Sequence, residues 1–135
     1  MAKYNSIKEV LTKSFLSDWL STATYGSFWC ECNVHEDTSD EVYYKAKENN
    51  DCREDKWADV LLNGGTLIII DREEYNDGDE DEACHKMTLD DIERALPLFM
   101  INHPSQWTAI MDETMDLYDA DALLQFVVFG EVIYG

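Results

Sequence analysis

The chain has 135 residues, with 29 Asp and Glu against 10 Lys and Arg, a formal charge of −19 at neutral pH. That surplus lies far outside the magnitude of roughly 2–8 that suits a small soluble domain; it excludes nucleic acid as a direct partner and favours something basic. A hydrophobic content of 45%, with seven Tyr, four Trp and five Phe, excludes wholesale disorder, and the length fits one domain with a sizeable core.

In chain order, Ser6 with Glu9 three residues on reads as a capping box that opens a helix. Ile7, Val10, Leu11, Phe15, Leu16, Trp19 and Leu20 keep helical spacing, which predicts one amphipathic helix over 7–21. Phe28, Cys30, Cys32 and Val34 then alternate with Trp29, Glu31, Asn33 and His35, predicting a strand with the first set on its apolar face. Residues 36–53 are polar apart from Val42, Tyr43 and Tyr44, and read as a long surface connection with room for a helix around 41–48. Trp57, Ala58, Leu61 and Leu62 predict a helix over 54–63, stopped by Gly64 and Gly65.

Residues 66–70 are short and β-rich, the composition of a central strand buried on both faces. Residues 71–82 read as an acidic loop turning at Asp77-Gly78, and 83–87 as the antiparallel partner strand. Thr88 with Asp91 opens a helix whose buried stripe is Leu89, Ile92, Ala95, Leu96 and Phe99, with Pro97 inside as a bend or early stop. Pro104 starts another, with Trp107, Ile110 and Met111, and Asp119 or Asp121 caps a last one through Val128. The predicted fold is α+β: a small antiparallel sheet of about three strands with amphipathic helices packed on one side.

No apolar run approaches the roughly 18 residues of a membrane span, and the N-terminus has no signal-peptide core, so a soluble, intracellular domain without a membrane partner is expected. Cys30, Cys32, Cys52 and Cys84 are then expected as reduced thiols. Cys30 and Cys32 with His35, plus Cys84-His85, offer zinc ligands without a paired C-x₂-C spacing, and two small buried hydrophobes on one strand face are the simpler reading. An EF-hand fails, because with Gly78 at loop position six the twelfth position is Cys84. Ser27 and Ser105 lack a nucleophile-elbow context, no glycine pattern cradles phosphate, and His35, His85 and His103 are scattered. Neither an enzyme nor a cofactor is expected.

The charge is uneven. Residues 1–35 are neutral, 36–82 hold seventeen acids against five bases, and 83–135 hold nine acids against Lys86 and Arg94. Three acidic clusters stand out: Glu36, Asp37, Asp40 and Glu41; Glu73, Glu74, Asp77, Asp79, Glu80, Asp81 and Glu82; and Asp112, Glu113, Asp116 and Asp119. Carboxylates at i and i+4 on a helix are about 6 Å apart along the axis, near two steps of a DNA strand at 3.4 Å per phosphate. Asp112, Asp116 and, one step off, Asp119 with Glu113 would give such a row. A flexible, solvated loop is the plain alternative for 73–82. Of Tyr25, Phe28, Trp29, Tyr43 and Tyr44 most are expected in the core, and any left exposed beside carboxylates would make a natural contact point.

Residues 57–71, 89–92 and 121–135 resemble segments of small acidic proteins of phages, plasmids and integrative elements, mostly of unassigned function. The resemblance covers about half the chain and is carried by core-like segments. It implies a mobile-element origin and the cytoplasm of a bacterial host. Such elements encode anti-CRISPR and anti-restriction inhibitors, several of which imitate DNA. The functional expectation is therefore an inhibitor whose acidic face blocks the basic groove of a host nucleic-acid-binding defence protein, with a CRISPR effector favoured. The alternative is a non-catalytic interaction or regulatory module that binds through an apolar or strand-edge surface.

Overall fold

The computed structural model describes residues 7–25, 27–76 and 83–134. The first helical segment is divided into α1 (Ile7–Val10) and α2 (Lys13–Thr24). Thr12 causes the break: its extended backbone leaves the helix, and its hydroxyl accepts from the Phe15 amide at 3.1 Å, capping α2. The single helix expected over 7–21 is thus corrected by an internal cap that hydrophobic spacing does not register. One face of α2 buries Phe15, Leu16, Trp19, Leu20 and Ala23.

Strand β1 (Cys30–Val34) follows a bend in which the Ser27 hydroxyl accepts from the amides of Trp29 and Cys30, both at 3.3 Å. Strand alternation therefore starts two residues later than expected. Cys30 and Cys32 do point into the core, but Trp29 is fully buried and Phe28 is 58% exposed, the reverse of the predicted faces. The 36–53 connection contains α3 (Asp40–Asn49), capped by Ser39, and α4 (Arg53–Leu62) follows. Gly65 is needed where α4 hands over to the sheet: a Cβ there would lie 2.5 Å from Val60 Cγ1 and 2.9 Å from the Val60 carbonyl.

Strands β2 (Leu67–Asp71) and β3 (Cys84–Met87) complete an antiparallel sheet in the order β1-β2-β3. Its register opposes Cys30 to Asp71 and Val34 to Leu67 on one side, and Leu67 to Met87 on the other. Period-two alternation puts Cys30, Cys32, Leu67, Ile69, Asp71 and Met87 on one buried face. Glu31, Asn33, Cys84 and Lys86 are exposed on the other, where Ile68 and Ile70 are half-buried. The central strand is thus buried on one face rather than both.

Helices α2 and α4 pack on β1, and α8 (Leu117–Phe129) packs on β3. This is the expected small α+β fold. Between β2 and β3 a short helix, α5 (Arg72–Asn76), replaces the first part of the predicted acidic loop. Helix α6 (Leu89–Asn102) opens on the predicted Thr88–Asp91 capping box and continues through Pro97, and α7 (Pro104–Met111) restarts on Pro104. The buried side chains form one cluster in which Trp19, Trp29, Trp57 and Phe99 are the largest that are fully buried. Burying an aromatic of this size contributes about 1.5–3 kcal/mol. Two of the buried indoles donate to named partners, Trp19 Nε1 to the Ala120 carbonyl at 3.1 Å and Trp29 Nε1 to Asp121 Oδ1 at 2.7 Å.

Candidate partner-binding surface

Among the described carboxylates only Asp71 is buried; the others are exposed or half-exposed. Asp71 is strand, not loop as expected, and its carboxylate organises the surface above it. Asp71 Oδ2 accepts from the Tyr134 hydroxyl at 2.7 Å, while Oδ1 accepts from the Glu73 amide at 3.0 Å and the Glu74 amide at 3.4 Å. The start of α5 is thereby fixed, with Glu73 exposed and Glu74 half-buried at the edge. Partial burial raises the Tyr134 hydroxyl pKa, and the Asp71 hydrogen bond, the Asp71 charge and the Glu74 and Glu73 charges add to it.

The segment that carries Tyr134 is tied down by Gln125, which is fully buried. Its Oε1 accepts from the amides of Ile133 and Tyr134 at 2.9 and 2.8 Å, and its Nε2 donates to Asp121 Oδ2 at 2.7 Å. Trp29, Asp121, Gln125, Tyr134 and Asp71 form one hydrogen-bonded chain from the α8 side to the sheet end.

The structure separates the described members of the three predicted acidic clusters. Of the 73–82 cluster, Glu73 and Glu74 follow the Cys30–Asp71–Cys84 end of the sheet, where the Asp71 amide donates to Ala83 O at 2.7 Å. Glu73 and Glu74 are on α5, whereas Asp77, Asp79, Glu80, Asp81 and Glu82 lie outside the described residues. Glu36, Asp37, Asp40 and Glu41 are exposed at the other end of the sheet, beyond Val34. Five residues of strand at about 3.3 Å each put roughly 13 Å between these ends.

Much of that second cluster has internal work. Asp37 Oδ2 is 2.7 Å from Lys86 Nζ and 3.4 Å from His35 Nδ1. The Lys86 hydrogen bond holds the exposed Asp37 carboxyl below the usual range, aided by the Lys86 and His35 charges. Asp40 and Glu41 occupy the first turn of α3, where carboxylates complement the helix dipole.

The third cluster does not form the expected helical row. Asp112 is the C-cap of α7, Glu113 takes a left-handed backbone at φ 60°, and Asp116 is the N-cap of α8. Asp116 accepts from the Asp119 amide at 2.9 Å, and Asp119 accepts from the Asp116 amide at 3.1 Å, a reciprocal capping box. Spacing of four residues concealed a helix end, so the phosphate-like ruler over 112–119 is withdrawn. Asp116 rather than Asp119 or Asp121 opens α8. Its thirteen residues set Asp116 about 20 Å along the helix axis from Phe129, which meets Tyr134.

Part of the surface beside Tyr134 is apolar. Phe28 packs edge-on against Tyr134, ring centroids 6.0 Å apart, and Val132 and Ile133 beside it are 39% and 46% exposed. Glu31 and Glu131 are exposed, and Glu31 is paired loosely with Arg72 at 4.0 Å. Strand alternation pointed Phe28 inward, and only the Ser27 bend turns it out.

Burial pushes the Cys30 thiol up to about 11 and the Cys32 thiol further still, the state of packed thiols rather than thiolate ligands. Cys52 and Cys84 are exposed and unbridged. Among the described residues no group of three His, Cys, Asp or Glu side chains is placed to hold a metal ion. Among them, too, no helix is long and apolar enough to cross a membrane. The chain matches no protein-family model, no curated protein and no solved structure.

Proposed function

We propose that this protein is a non-catalytic inhibitor that sets an acidic surface into the basic nucleic-acid groove of a host defence protein. The observation that carries the reading is the combination of a −19 charge with carboxylates that, Asp71 apart, all reach the surface among the described residues. Such a surface attracts Lys- and Arg-lined grooves and repels nucleic acid itself. Residues 73–82 are the part to face the groove, because their acids are the densest in the chain, whereas Asp37, Asp40, Glu41, Asp116 and Asp119 of the other two clusters are engaged in the Lys86 pair, the first turn of α3 and the α8 cap. The resemblance of residues 57–71, 89–92 and 121–135 supports a mobile-element origin and a bacterial cytoplasm, and analogy with the inhibitors such elements encode favours a CRISPR effector over a restriction enzyme.

A second reading rests on Leu98 and Ile101 of α6, 55% and 71% exposed, as an apolar docking face on an interaction module. Replacing Asp77, Asp79, Glu80, Asp81 and Glu82 with Ser and Gln separates the two. Inhibition by charge requires loss of partner binding in that variant; docking through α6 requires binding to be retained there and lost in Ile101→Ser.

A further inference from the structure

Residues 95–111 carry no Asp, Glu, Lys or Arg, the longest such stretch in a chain that is 29% charged. They make the second half of α6 and all of α7, and part of them faces solvent: Leu98 and Ile101 are 55% and 71% exposed. With Arg94 these two fall at i, i+4 and i+7, so the three form one ridge along α6. Beside the ridge runs a groove of about 230 Å³, between Ala95 and Leu98 of α6 and Phe126 and Val127 of α8. Its two charged residues, Asp91 and Arg94, pair with each other, so the groove has no net charge. That volume lies below the roughly 300–1,000 Å³ of small-molecule sites and suits an inserted side chain.

Charge and shape together select what covers this face. A basic partner is drawn to the carboxylates elsewhere on the surface and finds no unpaired acid here. A like-charged partner is in the opposite position. Two chains of −19 repel, and the contact that adds least to that repulsion joins their charge-free faces. The ridge and the groove also lie side by side on one patch. A two-fold contact requires that arrangement, since each copy then offers the ridge that fills the other's groove. We propose that the α6 face is the interface with a second copy of this chain, with Leu98 and Ile101 of each copy set into the groove between Ala95 and Val127 of the other. The Asp91–Arg94 pair gives this apolar centre a polar rim. The interface is independent of the charge-led reading, and it gives the α6 face an occupant other than a host protein.

Sedimentation equilibrium of the purified full chain tests this at concentrations from about 1 µM to 1 mM, which cover weak and moderate affinities. The expected result is a monomer–dimer equilibrium that tightens from low salt to about 0.5 M, because screening relieves the repulsion between copies. Binding to a basic groove responds to salt in the opposite sense. Ile101→Ser should weaken the dimer at least about tenfold, because a two-fold contact loses the side chain twice. Tyr44→Ser, at an exposed site on α3, should leave it unchanged. Arg94→Glu charges both copies of the ridge alike and should weaken the dimer most at low salt. Circular dichroism checks that each variant keeps the fold. A chain that stays monomeric at every concentration and salt, a dimer unaffected by Ile101→Ser or weakened equally by Tyr44→Ser, or a dimer that loosens as salt rises would overturn the interface. No host protein takes part, so failure of this interface and failure of the inhibitor reading are separately visible.

Discussion

The Tyr134 hydroxyl donates to the Asp71 carboxylate at 2.7 Å across 63 residues of sequence. A buried acid at the end of the central strand is thereby joined to the segment after α8 and, through two amides, to the start of α5. Tyr134→Phe leaves Asp71 one donor short and should destabilise the fold by about 1–3 kcal/mol, measured by urea unfolding. A smaller loss would mean that the tail contributes little to the sheet end.

The same pair sets an alkaline limit. The folded pKa of Tyr134 is raised above the value of about 10 expected for an unfolded tyrosine. The stability it contributes is therefore complete below about pH 10 and is lost as pH rises through the folded value. Unfolding free energy measured from pH 9 to 11 should fall in the wild type more steeply than in Tyr134→Phe. Parallel curves would dismiss the linkage.

Acids engaged in caps should matter for folding and not for binding. Asp116→Ala removes the cap of α8 and should cost about 1 kcal/mol, while Asp112→Ala, exposed at the end of α7, should cost almost nothing. Thermal melts of the two variants check the difference, and equal melting temperatures would remove Asp116 from the helix-capping role.

Self-repulsion among the surface carboxylates should be relieved by screening. The melting temperature is expected to rise between low salt and about 0.15 M, where the screening length shortens to about 8 Å. A flat or falling melting temperature would mean that pairs such as Asp37 with Lys86 and Asp91 with Arg94 already balance the local charge.

Local signals were legible where the residues that make them are adjacent. The Thr88–Asp91 box, the Pro104 start and the two glycines after α4 each act within a few residues, and each marks a real boundary. The signals failed where one local cap competes with a longer apolar period. Thr12 interrupts a continuous hydrophobic stripe, Ser27 turns Phe28 out of an alternating run, and Asp116 turns a run of acids into a helix end. The Asp71–Tyr134–Gln125 chain had no sequence signature, because its members meet only after the sheet and α8 have packed. The candidate surface was legible as charge and illegible as place: composition showed the acids, while register and capping show which ones the fold itself uses.

The most direct test of the central claim is capture of a defence protein on the tagged chain from a bacterial lysate, eluted with a salt gradient and then challenged with that protein's own nucleic acid. An inhibitor that occupies a basic groove predicts a nucleic-acid-binding partner released at moderate salt, displaced by its nucleic acid, and not retained by the chain lacking the 77–82 acids. A partner that stays bound through molar salt, is indifferent to nucleic acid, and binds the charge-stripped chain equally well would contradict it.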